Sequence, residues 1–488
     1  MTTKRTRYDG FDTMPIAGEW RPGSSADILT NIDPYHGTVL TETRKADAAD
    51  VDTAYRSAQL AQRAWALSAP TERAAVFLRA AAIIEERTEE LVEWLTREVG
   101  TTRMRALVEL GIVAAVTRAG VEHTTLAQVT VASDAPGKEN RIYRRPAGVV
   151  GVISPWNFPM YLSQRSVAPA LAVGNAVVLK PAEDTPVTGG LLIAKIFEEA
   201  GLPAGVLSVV VGSGSQIGDE FVAHPVPRVI SFTGSTRVGL GIPAKAGVKR
   251  LALELGGNGP FVVLDDADLE RAVEAAVFSN YWHQGQICMA TNRVIVDAAV
   301  YDEFTERFVA AAKALTCGDP GLAETQVGPI INDKQVASIL DKVDRAVAGG
   351  AVLALSGDQS GPTGRVLSPR VLLGTNDVAT AAEEVFGPVA TIIRADDEAD
   401  ALRIANDTTY GLSSAVFTED LERGVRFAQR IESGMTHIND TTVHDDVHAA
   451  FGGEKQSGLG RFGGDWVLED LTSLHWISIQ HIRRPLPF

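Results

Sequence analysis

Between Asp47 and Gly100 the apolar positions fall at helical spacing in three successive segments, VDTAYRSAQLAQRAWAL, TERAAVFLRAAAIIEER and TEELVEWLTREVG. Thr71 and Thr88 stand where helix N-caps are expected, and Gly100 where a helix stops. From residue 148 the pattern changes. GVVGVIS (148–154), AVVLKP (176–181), VLSVVVG (206–212), RVISFTG (228–234) and RLALELGG (250–257) are short β-branched runs. Helix-like segments separate them, the clearest from Asp184 to Ala200, with Pro186 suited to a first turn and Gly201 to a stop. Strands alternating with amphipathic helices predict βαβ units and a mostly parallel sheet, an α/β fold whose ligands sit at the carboxyl ends of the strands.

A second alternating region runs from PFVVLDD (260–266) to GMTHIND (434–440), so two α/β domains meeting near Gly256–Gly257 are expected. LHWISIQHI (474–482) reads as one more strand, and NRIYRRPAG (140–148) as part of a hairpin. A chain of 488 residues exceeds what a single core serves, which agrees with more than one domain. The balance of 45 basic against 61 acidic side chains gives −16 and argues against a nucleic-acid or anionic-membrane partner. The start, MTTKRTRYDGFDTMPIAGEW, has no signal-peptide core. The longest apolar region, Val167 to Leu179, is broken by Pro169, Gly174 and Asn175 and is too short to span a bilayer, so a cytoplasmic protein is expected.

The two cysteines, Cys288 and Cys317, give neither a disulfide framework nor a zinc spacing. Cys288, in YWHQGQICMAT (281–291), is either a packed thiol or a nucleophile, and its surroundings must decide. Four segments supply candidate partners. SPWNFPM (154–160) places Asn157 in a proline-bounded loop, as a simple turn or a functional one. VLKPAEDTP (178–186) puts Lys180 and Glu183 at a strand end, where such a pair is usually a solvated rim. SFTGSTRVG (231–239) is a strand, a Gly-Ser-Thr turn and a helix start, whose N–H groups can hold phosphate. Neither it nor GSGSQIG (212–218) has the dinucleotide fingerprint spacing. LELGGNGP (253–260) carries Glu254 at a strand end beside a glycine hinge.

In this order, followed by GQIC and then by EEVFGP (383–388), YGLSSAVFT (410–418), HIND (437–440) and FGGEKQSGLGR (451–461), these segments resemble the aldehyde dehydrogenase superfamily over nearly the whole chain. The resemblance implies a Rossmann-like NAD-binding domain (1–123 and 147–256) and an α/β catalytic domain (257–468). A small β element (124–146 and 469–488) would serve oligomerisation, giving a homodimer or homotetramer. Cys288 would attack the aldehyde carbon, Asn157 and the Cys288 backbone N–H would hold the oxyanion, and Glu254 would activate water. Lys180 and Glu183 would meet the adenosine ribose, Ser235 the pyrophosphate and Glu384 the nicotinamide ribose. Phe386 would pack by the ring and Trp156 by the pyrophosphate, with Ile153 and Leu255 as apolar walls; Ser154 and Gly214 join the cofactor set. Glu183 accepts from a free 2′-hydroxyl and repels a 2′-phosphate, so NAD is expected over NADP.

The finer resemblance is to bacterial aromatic-aldehyde dehydrogenases of the vanillin and benzaldehyde type. Phe158, Tyr161, Ile287, Met289 and Phe451 would then line an apolar tunnel for a flat ring. An aliphatic or semialdehyde substrate is the alternative, and a catalytically silent scaffold the remote one. The loop TTVHDDVHAA (441–450) departs from the proline-rich form of that branch. His437, His444, Asp445, Asp446 and His448 are expected to be polar rim residues without metal, and Cys317 a spare buried thiol.

Overall fold

The computed structural model describes residues 6–126, 128–132 and 135–486. Residues 1–5, 127, 133–134 and 487–488, within the expected first domain and β element, lie outside the described residues. Four helices open the chain's main body: α1 (Ala48–Leu67), α2 (Pro70–Glu86), α3 (Thr88–Val99) and α4 (Arg103–Ala119). Asp47 caps α1 by accepting from the N–H groups of Ala49 (2.9 Å) and Asp50 (3.1 Å).

The two expected threonine caps are corrected. Thr71 lies inside the first turn of α2, which starts at Pro70, where a proline ring already holds a helical φ. Thr88 is the first residue of α3, and its hydroxyl donates back to the Glu85 carbonyl (2.9 Å), because only Arg87 separates the two helices. Gly100 does end α3, in a left-handed conformation (φ 73°).

Five parallel strands, in the order Arg250–Glu254, Val229–Thr233, Val149–Ile153, Ala176–Lys180 and Leu207–Val209, form the first sheet. The short strand Gly458–Leu459 joins its edge antiparallel, so the chain returns to this sheet near its end. The inner strands are buried on both faces, which is why they read as unbroken apolar runs rather than alternating ones. α5 (Pro159–Ala172) crosses over between two of them and is buried along its whole length. The helix expected from Asp184 instead begins with a single π turn, Val187–Leu191, before Leu192–Glu199. The buried Glu98 carboxylate fixes that start by accepting the N–H groups of Val187 (3.0 Å) and Thr188 (2.7 Å).

The second sheet has seven strands, in the order Val352–Leu355, Arg370–Leu373, Val389–Ala395, Thr291–Asp297, Gly259–Val263, Ser413–Phe417 and Met435–Ile438. All neighbours are parallel except the first pair. Ile153, Lys180, Thr233 and Glu254 stand at the carboxyl ends of adjacent strands in the first sheet, and from Glu254 the segment 255–258 leads into the second. A third sheet pairs Thr472–Gln480, Lys138–Pro146 and Gln128–Val131 antiparallel.

Candidate active site

The helix Leu269–Tyr281 delivers the chain to a tight turn just before Cys288. His283 (φ 51°), Gln284 (φ 59°) and Gly285 (φ 68°) are left-handed in succession. That conformation costs roughly 1–2 kcal/mol for each residue with a side chain, so something must hold it. Gln284 Nε2 donates to the Gly100 (3.1 Å) and Pro329 (2.8 Å) carbonyls, and Gln286 Oε1 accepts from the Ile331 N–H (3.1 Å). At Gly285 a Cβ would lie 2.2 Å from the Gly387 carbonyl oxygen, so only glycine fits there. The turn leaves Cys288 partly open between the buried Ile287 and Met289.

Two clefts meet at that thiol. The first, of about 420 Å³, is lined by Ile153, Ser154, Trp156, Ser235, Leu255, Glu384 and Phe386. The second, of about 320 Å³, is lined by Phe158, Tyr161, Ile287, Met289 and Phe451, with Met104, Val108, Ile112, Phe278 and Trp282. Cys288 and Asn157 line both. All five residues expected to form the substrate tunnel therefore share one cavity, and seven of the ten expected cofactor residues share the other. Lys180, Glu183 and Gly214 stand outside that wall.

The first cleft suits a dinucleotide. Trp156 and Phe386 meet edge to face with ring centroids 5.4 Å apart, and Phe386 holds a left-handed φ of 59°. Glu384 is anchored by the Gly257 N–H (3.0 Å), and burial raises its carboxyl to about 7. Beside it the backbone runs bare: a Cβ on Gly256 would come within 2.5 Å of Glu384 Oε2. The Lys180 ammonium is buried, and its contact is the neighbouring Pro181 carbonyl at 3.3 Å; burial lowers it to about 8. Glu183 is held rigidly, accepting from Ser213 Oγ (2.7 Å) and from the Gly214 N–H (3.0 Å). The residues present thus offer aromatic surface, a buried carboxylate anchored beside bare backbone, and a buried ammonium with a single carbonyl contact.

Glu254 lines neither cleft. It is buried with both carboxylate oxygens lacking a hydrogen-bond partner, and this burial, eased by Arg165, pushes it up to about 8. Cys288 is pushed up to about 12, first by burial and then by the Glu254 charge, with Arg165 acting in the opposite direction. Asn157 Nδ2 donates to the Gln286 carbonyl (2.9 Å), which places its amide beside the cysteine turn.

A model of the aldehyde dehydrogenase family matches residues 20–477. The chain belongs to that family. It is 52% identical to a vanillin dehydrogenase of Corynebacterium glutamicum, over 95% of this chain and 97% of that one. It is 49% identical to a benzaldehyde dehydrogenase of Bacillus subtilis, over 99% and 100%. The crystal structure of a NAD-dependent benzaldehyde dehydrogenase from Corynebacterium glutamicum superposes with a TM-score of 0.90 at 48% identity, covering 99% of this chain and 100% of the other.

This aldehyde dehydrogenase also brings to its clefts residues that sequence reading passed over. Gln335 and Lys342 line the first cleft from the helix Asp333–Ala348, where an ordinary amphipathic pattern gave no signal. Arg165 lines the second, its guanidinium sandwiched 4.5 Å from the rings of both Phe451 and Phe462. A single charge inside an otherwise apolar helix was the available sign. Asp445, read before only as rim, accepts a hydrogen bond from the Tyr161 hydroxyl and so ties loop 441–450 to α5. His437 and His444 meet edge to face with centroids 5.3 Å apart, and among the described residues no group of three or more His, Cys, Asp or Glu could hold a metal ion. Cys317, expected as a buried thiol, is only half-buried against the Leu315 carbonyl (3.6 Å), and it lines neither cleft.

Proposed function

We propose that the protein oxidises an aromatic aldehyde to its carboxylic acid with NAD, through a covalent adduct on Cys288. The observation that carries this reading is the meeting of an apolar, aromatic cleft and a dinucleotide-suited cleft at one half-open thiol. The vanillin and benzaldehyde specificities in the names of its relatives point the same way.

Cys288 Sγ attacks the carbonyl carbon. Its resting thiol is held protonated by burial, so the proton must leave as attack proceeds, with Glu254 as the nearby acceptor. The oxyanion that forms takes the second N–H of the Asn157 amide, the first being bound to the Gln286 carbonyl. Phe158, Tyr161, Ile287, Met289 and Phe451 hold the ring and keep water from the thiohemiacetal. Ile153, Ser154, Trp156, Ser235, Leu255, Glu384 and Phe386 would hold the cofactor in the first cleft, and Lys180, Glu183 and Gly214 would receive its adenosine end. When bound, NAD supplies the acceptor for the hydride leaving the substrate carbon. Cys288 then carries the acyl group as a thioester until Glu254 takes a proton from water and the acid is released. Glu183, locked by Ser213 and Gly214, sets NAD above NADP because it cannot swing away from a 2′-phosphate.

On the same reading, segments 1–123 and 147–256 serve the cofactor, 257–468 the chemistry, and 124–146 with 469–488 assembly into a cytoplasmic homo-oligomer. Among the described residues no helix is long and apolar enough to cross a membrane. In the third sheet, Val129, Ile142 and Trp476 pair across the strands in one row, and Val129 (55%) and Trp476 (59%) are exposed, an apolar face suited to a second copy.

Replacing Glu254 by Gln tests the covalent route. Intact-mass analysis after mixing the variant with benzaldehyde and NAD should show one added benzoyl group, absent when Cys288 is also replaced by Ala. An unmodified protein in the single variant, with wild-type turnover retained, contradicts the mechanism.

A further inference from the structure

Behind Asn157, on α4, lies an ion pair that the reaction itself does not use. Arg105 and Glu109, one turn apart, are both fully buried and bonded to each other. Arg105 Nη2 donates to the Asn157 carbonyl, and its guanidinium lies 3.7 Å from the centre of the Phe158 ring. Glu109 Oε1 accepts the Tyr161 N–H at 3.0 Å, at the first turn of α5. One turn of α4 therefore grips the stretch 157–161 at three points. That stretch carries the oxyanion amide at one end and a wall of the aldehyde cleft at the other.

From this geometry we infer that Arg105, braced by Glu109, is a positioning residue that sets the Asn157 amide for the oxyanion. A buried ion pair is a poor way to gain stability. Removing two charges from water costs several kcal/mol per ion before their attraction repays it, and apolar pairs of similar volume are often as stable. What the pair supplies here is direction. A guanidinium offers several N–H groups in a fixed plane, so it can hold Glu109 and the Asn157 carbonyl at once. Fixing that carbonyl fixes the Cα from which the amide springs, and the amide is pinned at its other side by the Gln286 carbonyl (2.9 Å). Because Asn157 is held from α4 and from the cysteine turn, the distance between amide and Sγ is set by two independent anchors. Burial pulls Arg105 down to about 10 and raises Glu109, yet each partner opposes the other's shift, and the arginine stays charged at neutral pH.

The inference rests on the proposed role of Asn157, and the experiment separates the two. Arg105→Met, Arg105→Lys, Asn157→Ala and the double variant Arg105→Met/Asn157→Ala are compared in two assays, benzaldehyde oxidation with NAD and cofactor-free hydrolysis of p-nitrophenyl benzoate by Cys288. Losing one oxyanion donor typically costs about 10²–10³ in rate, so Asn157→Ala should fall by that much in both assays. Arg105→Met should lower kcat by about 10- to 100-fold in both, with KM changed less than about 3-fold, as expected when a transition-state contact is misplaced. The double variant should fall little below Asn157→Ala, because the two residues act as one unit. Arg105→Lys should restore part of the rate. Losses that simply multiply in the double variant would overturn the inference. So would an Arg105→Met enzyme that melts earlier but keeps its kcat, or a lysine variant whose kcat is no better than that of the methionine one. Unchanged activity of Asn157→Ala alone would overturn the oxyanion assignment first, and this inference with it.

Discussion

Cys288 rests as a thiol and Glu254 as an acid: burial without a hydrogen-bond partner raises the carboxyl, and desolvation together with the Glu254 charge raises the thiol. The sign of the pH dependence is then fixed. Below about 8 Glu254 is protonated and cannot take a proton from thiol or water; above it the carboxylate is free to do so. The kcat for benzaldehyde should therefore rise with pH to a plateau, with its inflection near 8. Glu254→Gln should abolish that limb together with most of the rate. A profile flat from pH 6 to 9 in the wild type would show that another group carries the proton. The sequence already marked Cys288, Glu254 and Asn157 through the segments around them. It could not show that Glu254 is buried with both carboxylate oxygens unpartnered, because a strand-end position does not say which way the carboxylate turns. Nor could it single out Arg105, whose neighbour Asn157 is far along the chain and whose role depends on how α4 packs against α5.

The turn 283–285 shows how an element can store strain at the point of chemistry. Three left-handed residues are tolerated because Gln284 spans to two carbonyls in separate segments and Gly285 leaves room for the Gly387 carbonyl. Gly285→Ala should displace this turn, since its Cβ would need space the carbonyl fills. The expected result is a loss of about 10-fold or more in the rate of iodoacetamide-labelled or aldehyde-reacted Cys288, with stability reduced by at least about 1 kcal/mol in denaturant unfolding. Unchanged thiol reactivity would mean the turn is not what presents the sulfur. The strands and their carboxyl-end site were legible from β-branched runs bounded by glycine and proline. The start of the helix after Glu183 was not. It is displaced to Pro186 and opens with a π turn because Glu98, from a helix far back in the sequence, claims its first N–H groups.

Across the molecule, two parallel sheets with their connecting segment 255–258 bring the two clefts to one sulfur. Gly257 makes that junction tight: a Cβ there would lie 2.1 Å from the Cys288 carbonyl oxygen. The chain passes from the first sheet to the second between Glu254 and Gly259, at the Gly256–Gly257 pair that stands out in the sequence between two alternating regions. The return of Gly458–Leu459 to the first sheet does not stand out, since two residues carry no periodicity. The composition of the second cleft makes the broadest statement about function. Its walls are mostly aromatic and aliphatic side chains, joined by Asn157, Cys288, His444 and Asp445, with the Arg165 cation held between Phe451 and Phe462, and its volume of about 320 Å³ admits a substituted ring. The most direct test is NADH formation by the wild-type protein over a panel of benzaldehyde, vanillin, salicylaldehyde, acetaldehyde and hexanal, with Cys288→Ala as the control. The account predicts kcat/KM for the best aromatic aldehyde at least about 10-fold above that for either aliphatic one, and no turnover in the alanine variant. Preference for an aliphatic aldehyde would contradict the aromatic reading, and turnover without Cys288 would contradict the chemistry itself.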